Sequence, residues 1–401
     1  MSEPESMKIE RGPVRIAAYW GFIVLGAGNT ILGPALLSVL GSYHIAPSGA
    51  GPLFVANTVG YTLAVLVGGP ASDHFGKKAI LVAGAALYLL GLACFAGSPL
   101  WITAILAAGV IGLGGGVIDS GSNAMMNDIA APEKHATEQS YLHTFFGIGA
   151  LLGPLLIGAC LALHGGWRPA WAVAAIGAAA LVSLFARLRL PERRVASEPV
   201  SVAGVALLAR DPLLLLLGLL IGAYVGAEVL VGDWAATFLE RIHGMDKVAA
   251  ATSVSLYWGG LAAGRLLSGI LTRWCTSRQL LIGYTGLSVL ATLALVGAPN
   301  VPLALAALTL TGLGYAAVFP LVMAVAGEVF PAMTGSAAGL LIAAASVMGA
   351  IFPWIGGVLV QYADSRAAML LALPATLVQL AIALVLAQAR GGMSPTVRSA
   401  A

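Results

Sequence analysis

The sequence predicts an all-α polytopic membrane protein with twelve transmembrane helices in two pseudo-symmetric six-helix halves. Three observations predict it. Hydrophobic residues make up 59% of the 401 residues and charged residues only 9%, whereas a soluble domain carries about 25% charged residues. The mean hydropathy is +0.94. The apolar residues also fall into runs long enough to cross the hydrocarbon core as helix, which takes about 20 residues. A helix satisfies its own backbone hydrogen bonds where there is no water to do so.

In order, the runs place spans near 14–41, 48–72, 78–97, 100–127, 137–163 and 168–188, then near 212–240, 247–272, 278–297, 302–328, 334–362 and 366–390. Turn residues separate them: Gly41-Ser42-Tyr43-His44, Ser98-Pro99, Ala298-Pro299-Asn300 and Pro331. The longest polar interruption holds Arg187, Arg189, Arg193, Arg194 and Arg210 with Pro191 and Pro199. The chain therefore divides into a tail (1–13), a first half (14–188), a linker (189–211), a second half (212–390) and a second tail (391–401). The polar start precedes an apolar run too long for a signal-peptide core, so the first span is expected to remain uncleaved.

Lys and Arg favour cytoplasmic loops. With the N-terminus inside, only Arg168, Arg241, Lys247 and Arg366 of the 20 Lys and Arg fall outside, and Arg265 lies within a span. Both termini are expected in the cytoplasm of a bacterial-type inner membrane. The halves echo each other at an offset of 200: Gly26 and Gly226, Gly60 and Gly260, Gly69 and Gly269, Gly112-Leu113-Gly114 and Gly312-Leu313-Gly314, Gly149-Ala150 and Gly349-Ala350, Asp128 and Glu328. Parallel six-helix repeats are one transporter architecture, with the site near the midplane.

Several classes are disfavoured. The net charge of +3 and the lack of a basic tract argue against nucleic acid. Cys94, Cys160 and Cys275 have no metal-ligand spacing and read as packing residues. There is no GxxxxGK[ST], HExxH or nucleophile triad, so an enzyme is not expected. No cofactor is expected, and an ion gradient is left as the energy source.

Between the second and third spans the chain reads Gly69-Pro-Ala-Ser-Asp73-His-Phe-Gly76-Lys77-Lys78. This G-x-x-x-D-x-x-G-K-K run resembles the signature of the major facilitator superfamily, and the resemblance extends over essentially the whole chain. It implies a major facilitator fold and alternating access. Gly69 and Gly76 allow close approach and a tight turn. Asp73 is suited to pair with a basic residue or a helix N-terminus. Arg273 stands at the position of Asp73 in the second half, so the repeated motif is degenerate, and Arg265 in span 8 needs a carboxylate or helix-end partner. Asp128 and Glu328, at cytoplasmic helix ends, are expected in an inner gate.

Ionisable residues inside spans are functional candidates. Asp119 and Asn123 share one face of span 4 at i and i+4. His143 in span 5 is expected at similar depth, which suits either a proton relay or a polar pair that joins helices. Glu228 lies about 17 residues into span 7, roughly 25 Å along it. It is a candidate for coupling or substrate binding, and Asp233 is expected nearer the outer interface. Trp234, Tyr257 and Trp258 suit either a stacking platform or interfacial anchors.

The run Asp119-Ser-Gly-Ser-Asn123 resembles the acid-x-x-x-Asn pattern of the fucose–proton symporter branch. Leu142-His143-Thr-Phe-Phe-Gly147-Ile-Gly149-Ala-Leu-Leu-Gly153-Pro154 and Tyr224-Val-Gly-Ala-Glu228 resemble its spans 5 and 7. The resemblance implies Asp119 as proton carrier, with Asn123, Tyr224 and Glu228 near a sugar. In span 1, Gly28-Asn29-Thr30 resembles the branch's Asn-Asp pattern, but Thr30 replaces the acid. Gly149-x-x-x-Gly153-Pro154-x-x-Ile157-Gly158 resembles the Gly-Pro motif of drug–proton antiporters, with Ile157 in place of a glycine. The expectation is a monomeric carrier in the lipid bilayer that takes up a sugar or similar neutral solute with protons. Sodium coupling and export of amphiphilic compounds stay open.

Overall fold

A computed structural model describes residues 11–129, 135–164, 166–189, 204 and 207–388. Most of the expected linker, the tail 391–401, and Lys8, Lys134, Arg193, Arg194, Arg390 and Arg398 lie outside the described residues. The described residues form helices and no strand. In order they are α1 (Arg11–Thr30), α2 (Leu32–Ser42), α3 (Gly51–Phe75), α4 (Lys77–Gly97), α5 (Trp101–Ile129), α6 (His135–His164), α7 (Arg168–Arg187), α8 (Pro212–His243), α9 (Lys247–Leu271), α10 (Ser277–Val296), α11 (Val301–Tyr315), α12 (Val318–Val329), α13 (Thr334–Tyr362), α14 (Ser365–Leu370) and α15 (Ala372–Gln388).

Ten of these segments are long and apolar enough to cross a membrane, and the bent pair α1–α2 makes eleven. The remaining expected span, the eighth, is α9, which has 25 residues but is not apolar enough to qualify among the described residues. Its composition explains this. It carries Arg265 with Thr252, Ser253, Ser255 and Tyr257 on one helix.

Three expected spans are broken, each just before a proline. The first bends by 49° between α1 and α2, ahead of Pro34. The tenth breaks at Ala316-Ala317, ahead of Pro320, and the twelfth at Leu371, ahead of Pro374. A proline lacks the N–H for the carbonyl four residues back and its ring crowds that carbonyl. Pro154 and Pro353 instead sit inside continuous helices. At Pro154 the freed carbonyl is that of Ala150, and the Thr30 hydroxyl lies 3.0 Å from its oxygen. Hydroxyl side chains re-satisfy such carbonyls in membrane helices.

The chain forms two compact units, residues 1–31, 56–153 and 166–198 in one, and residues 32–55, 154–165 and 199–401 in the other. Each contains the same helix crossing. In the first unit, a methyl group at Gly60 would lie 2.1 Å from the Gly109 carbonyl oxygen, and one at Gly112 would lie 2.0 Å from that of Asn57. In the second unit, 200 positions on, Gly260 faces the Thr309 oxygen at 2.1 Å and Gly312 the Tyr257 oxygen at 2.0 Å. The α3–α5 and α9–α11 crossings are thus backbone against backbone at matching positions. The repeat is looser elsewhere: Gly149 meets the Ile23 oxygen at 2.1 Å, but Gly349 meets a Val225 methyl at 3.2 Å.

Gly112→Ala and Gly312→Ala should each destabilise the protein by about 1–3 kcal/mol, since a β-carbon there overpacks rigid backbone. Gly283→Ala, with open space around it, should be neutral or slightly stabilising through helix propensity. Thermal unfolding of the detergent-purified variants tests the contrast, and equal effects at the three sites would refute it.

Candidate functional site

In the first unit, polar side chains gather around Asp119 on α5. The Tyr61 hydroxyl of α3 donates to Asp119 Oδ2 at 2.5 Å. The Asn123 amide donates to Asp119 Oδ1 at 2.8 Å, as the i, i+4 spacing allows. Gln139 of α6 donates to the Asn123 carbonyl at 3.1 Å and to Asn127 Oδ1 at 2.9 Å. The Gly60–Gly112 crossing brings Tyr61 to this place: the backbone N of Tyr61 itself lies 2.9 Å from the built β-carbon of Gly112. His143 is exposed on α6, edge-on to Phe22 of α1 with ring centroids 5.5 Å apart.

Thr30 is 3% exposed. Its hydroxyl lies 3.0 Å from both the Gly26 and Ala150 carbonyl oxygens. An ionised acid here has no proton to donate to Ala150, so the hydroxyl that departs from the symporter pattern serves the helix junction. Neighbouring Asn29 is exposed at the end of α1.

In the second unit a separate cluster surrounds Glu228 on α8. Its Oε1 lies 3.9 Å from an Arg265 guanidinium nitrogen of α9, and Arg265 Nε also donates to the Ala316 carbonyl at 3.4 Å. That carbonyl lies at the break before Pro320, so the interruption of the tenth span supplies an acceptor for the intramembrane cation. The Tyr257 hydroxyl donates to the Glu228 carbonyl at 2.9 Å. Tyr315 of α11 packs edge-on to both Tyr224 and Tyr257, at 6.0 and 6.4 Å.

Several expected solute contacts are covered by protein. Tyr224 is 1% exposed, and Tyr257 and Trp234 are 0% exposed. Trp234 donates to the Pro353 carbonyl at 2.9 Å, and its ring fills the space beside Gly356 and Gly357. Like Thr30, these residues support the helices in this structure and present no free surface to a ligand. Trp258 and Glu228 remain partly open. Asp233, expected at the outer interface, is buried.

The loop-motif residues behave differently from one another. Lys77 forms an ion pair with Asp128. Gly76 has φ +86° just before α4, a backbone region that favours glycine. Lys78, Arg273 and Glu328 are exposed. The surroundings of Gly69 and the side chain of Asp73 lie outside what is described. The structure adds one ionic contact that sequence reasoning missed. Glu138 of α6, 6% exposed, pairs with Arg15 of α1 and accepts from the Tyr19 hydroxyl at 3.3 Å. A lone acid in the first turn of an otherwise apolar span was the available signal. Tyr61 and Tyr315 carried no signal beyond their place next to repeat glycines.

Removing one partner of the Glu228–Arg265 pair leaves the other underbonded. Glu228→Ala and Arg265→Met should each lower stability by about 1–3 kcal/mol, with the double variant losing less than the two single losses combined. Thermal unfolding of the three proteins tests this, and strict additivity would show that the two side chains do not interact.

The comparisons with known proteins agree with this architecture. The Major Facilitator Superfamily model matches residues 18–295. The sodium-dependent glucose transporter 1A of Mus musculus is 26% identical over 380 residues, covering 85% of this chain and 88% of that protein. Bypass of stop codon protein 6 of Saccharomyces cerevisiae is 25% identical over 284 residues, covering 64% of this chain, and the match spans just 56% of that protein. Two solved structures share the fold. A bacterial homologue of the human lysosomal transporter Spinster, in an inward-facing and occupied conformation, superposes with TM-score 0.82 at 14% identity, over 96% of this chain and 98% of the other. A D-xylose–proton symporter gives TM-score 0.74 at 16% identity, over 94% and 97%. On the family match, which covers more than half of its length, the chain belongs to the Major Facilitator Superfamily and is a multi-pass membrane transporter rather than an enzyme.

Proposed function

We propose that this protein takes up a sugar or similar neutral polar solute together with protons, by alternating access. Asp119 carries the proposal. It is an acid inside an apolar helix, with a hydrogen-bond donor on each oxygen. Taking up a proton neutralises it, and a neutral side chain crosses an occluded state that a bare charge would make costly. Both proton and solute then bias one equilibrium by binding its two states differently.

The sugar reading is supported by the relative named as a glucose transporter and by the fold shared with a D-xylose–proton symporter. In the second unit, Glu228, Arg265 and the partly open Trp258 provide the mixture of acceptors, donors and aromatic surface that hydroxyl-rich ligands need. In the first unit, Asn29 and Asn123 offer amides. Each Asp119 oxygen accepts one hydrogen bond and keeps a further lone pair, so the contacts serve a proton and a sodium ion alike, and the transport assay below separates the two. Gly149 and Gly153 pack against Ile23 and Thr30 of α1, a role that serves an importer and an exporter equally. In this reading the carrier works as a monomer in a bacterial-type inner membrane with both termini cytoplasmic, following the Lys and Arg distribution.

The test is the purified protein in liposomes that enclose a pH-sensitive dye, challenged with sugars, polyols and lipophilic cations. One sugar should acidify the lumen, and Asp119→Asn should still exchange that sugar but fail to concentrate it. Normal accumulation by Asp119→Asn would remove Asp119 from coupling. Sugar entry driven by sodium without acidification would replace the proton, and alkalinisation of an acidified lumen by a lipophilic cation would establish export.

A further inference from the structure

α8 carries a second carboxylate that the coupling scheme above does not use. Asp233 lies five residues beyond Glu228 and is 8% exposed. Glu228 has Arg265, whereas Asp233 has no hydrogen bond or ion pair among the described residues. What lies against it is backbone. α2 crosses α8 at Gly33, where a methyl group would stand 2.4 Å from the Gly232 oxygen, 2.6 Å from Asp233 Cα and 3.0 Å from Asp233 Oδ1. A glycine at position 33 is what lets the two helices meet.

The same unit contains further close contacts of this kind. Gly51 abuts the Trp354 ring, Gly357 the Pro47 carbonyl and Gly158 the Thr252 hydroxyl, with built β-carbons at 2.4, 2.4 and 2.2 Å. The Ser48 N–H donates to Gln361 Oε1 at 3.1 Å. Residues 32–55 and 154–165 thus form a seam with α8, α9 and α13, and Asp233 lies in it.

Among the described residues no counter-charge is at hand. The helices α2, α11, α13 and α15 carry no Asp, Glu, His, Lys or Arg, and their two tyrosines, Tyr315 and Tyr362, are neutral donors rather than counter-charges. On α9, Arg265 is engaged by Glu228 and Lys247 is exposed. Arg366 of α14 and Glu328 of α12 are exposed. Glu240 and His243 lie at the far end of α8 itself, as does Arg241, which donates to the Val360 carbonyl at 3.4 Å. An ionised carboxylate enclosed without a partner is strongly unfavourable. The closed seam therefore suits the protonated acid, and an ionised one needs water.

We propose that Asp233 is a proton-operated latch: the α2–α8 contact at Gly33 is held while its carboxyl is protonated and is released when it ionises. The proton comes from and returns to bulk water at the extracellular end, in the orientation of the uptake reading. Acid outside would then favour closure of that end and delivery inward. Only this direction rests on the uptake reading, and the latch itself is testable without solute.

Amide hydrogen exchange of residues 32–42 in the purified full chain, corrected for intrinsic rates from pH 6 to pH 9, reads the seam directly. The wild-type segment should lose protection by about tenfold or more as pH rises. Asp233→Asn, or Asp233→Ser if the first variant folds poorly, should stay protected throughout. Gly33→Ala should exchange fast at every pH, and Gly283→Ala, which has open space around it, should keep the wild-type response. A wild-type pH response in both Asp233 variants, or one lost equally in Gly283→Ala, overturns the latch. So does protection that follows sodium concentration in place of pH. Failure of the coupling proposal would show separately, as accumulation by Asp119→Asn in the transport assay.

Discussion

Backbone amides in hydrocarbon must find their partners within the protein, and the rest of this structure depends on that constraint. It makes the chain helical and leaves the interruptions as the informative places. Each break precedes a proline, and the groups around the breaks are reused. The Ala316 carbonyl accepts from Arg265. The Ala150 carbonyl, freed by Pro154, faces the Thr30 hydroxyl. The bend at Ile31 sets α2 on its own course against α8. Polar side chains in the membrane thus partly complete a backbone that proline left incomplete.

The second organising feature is close packing at glycine. With lipid as apolar as leucine, helices associate through contact and hydrogen bonds rather than through the hydrophobic effect. The reciprocal α3–α5 and α9–α11 crossings hold backbone to backbone at the same positions of each repeat. The side chains beside these crossings have diverged. Tyr61 sits at one crossing and reaches Asp119, while its counterpart in the repeat is Leu261. Tyr257 at the other reaches the Glu228 carbonyl, and its counterpart is Asn57. One scaffold has been kept twice and given two different polar clusters.

The fold was legible because its signals are local or repetitive. Apolar runs gave the spans nearly to their ends, from Lys77–Gly97 to Thr334–Tyr362, since length and composition decide whether a segment enters lipid. α9 falls short of the apolar spans because it carries Arg265 together with several hydroxyl side chains. The candidate site was legible only as single residues. Asp119, Glu228 and Arg265 stood out as charges within spans, and Asn123 followed from helical spacing. Glu138 and Tyr61 were passed over, because a tyrosine or a terminal acid is ordinary until its partner is known.

The sequence by itself determined the all-helical membrane architecture, the 200-residue repeat and the positions of the intramembrane charges. Those follow from composition, spacing and the cost of polar groups in lipid. Only the tertiary structure decided who meets whom. It joined Tyr61 to Asp119 and Glu228 to Arg265, turned Thr30 toward carbonyls, enclosed Trp234 and Tyr257, and left Asp233 buried without a partner among the described residues. The reason is rotational. A helix apolar on every side has no polar stripe to fix its orientation, and each residue turns the next by about 100°. Which side chains face one another is therefore set by where glycines let neighbouring helices touch.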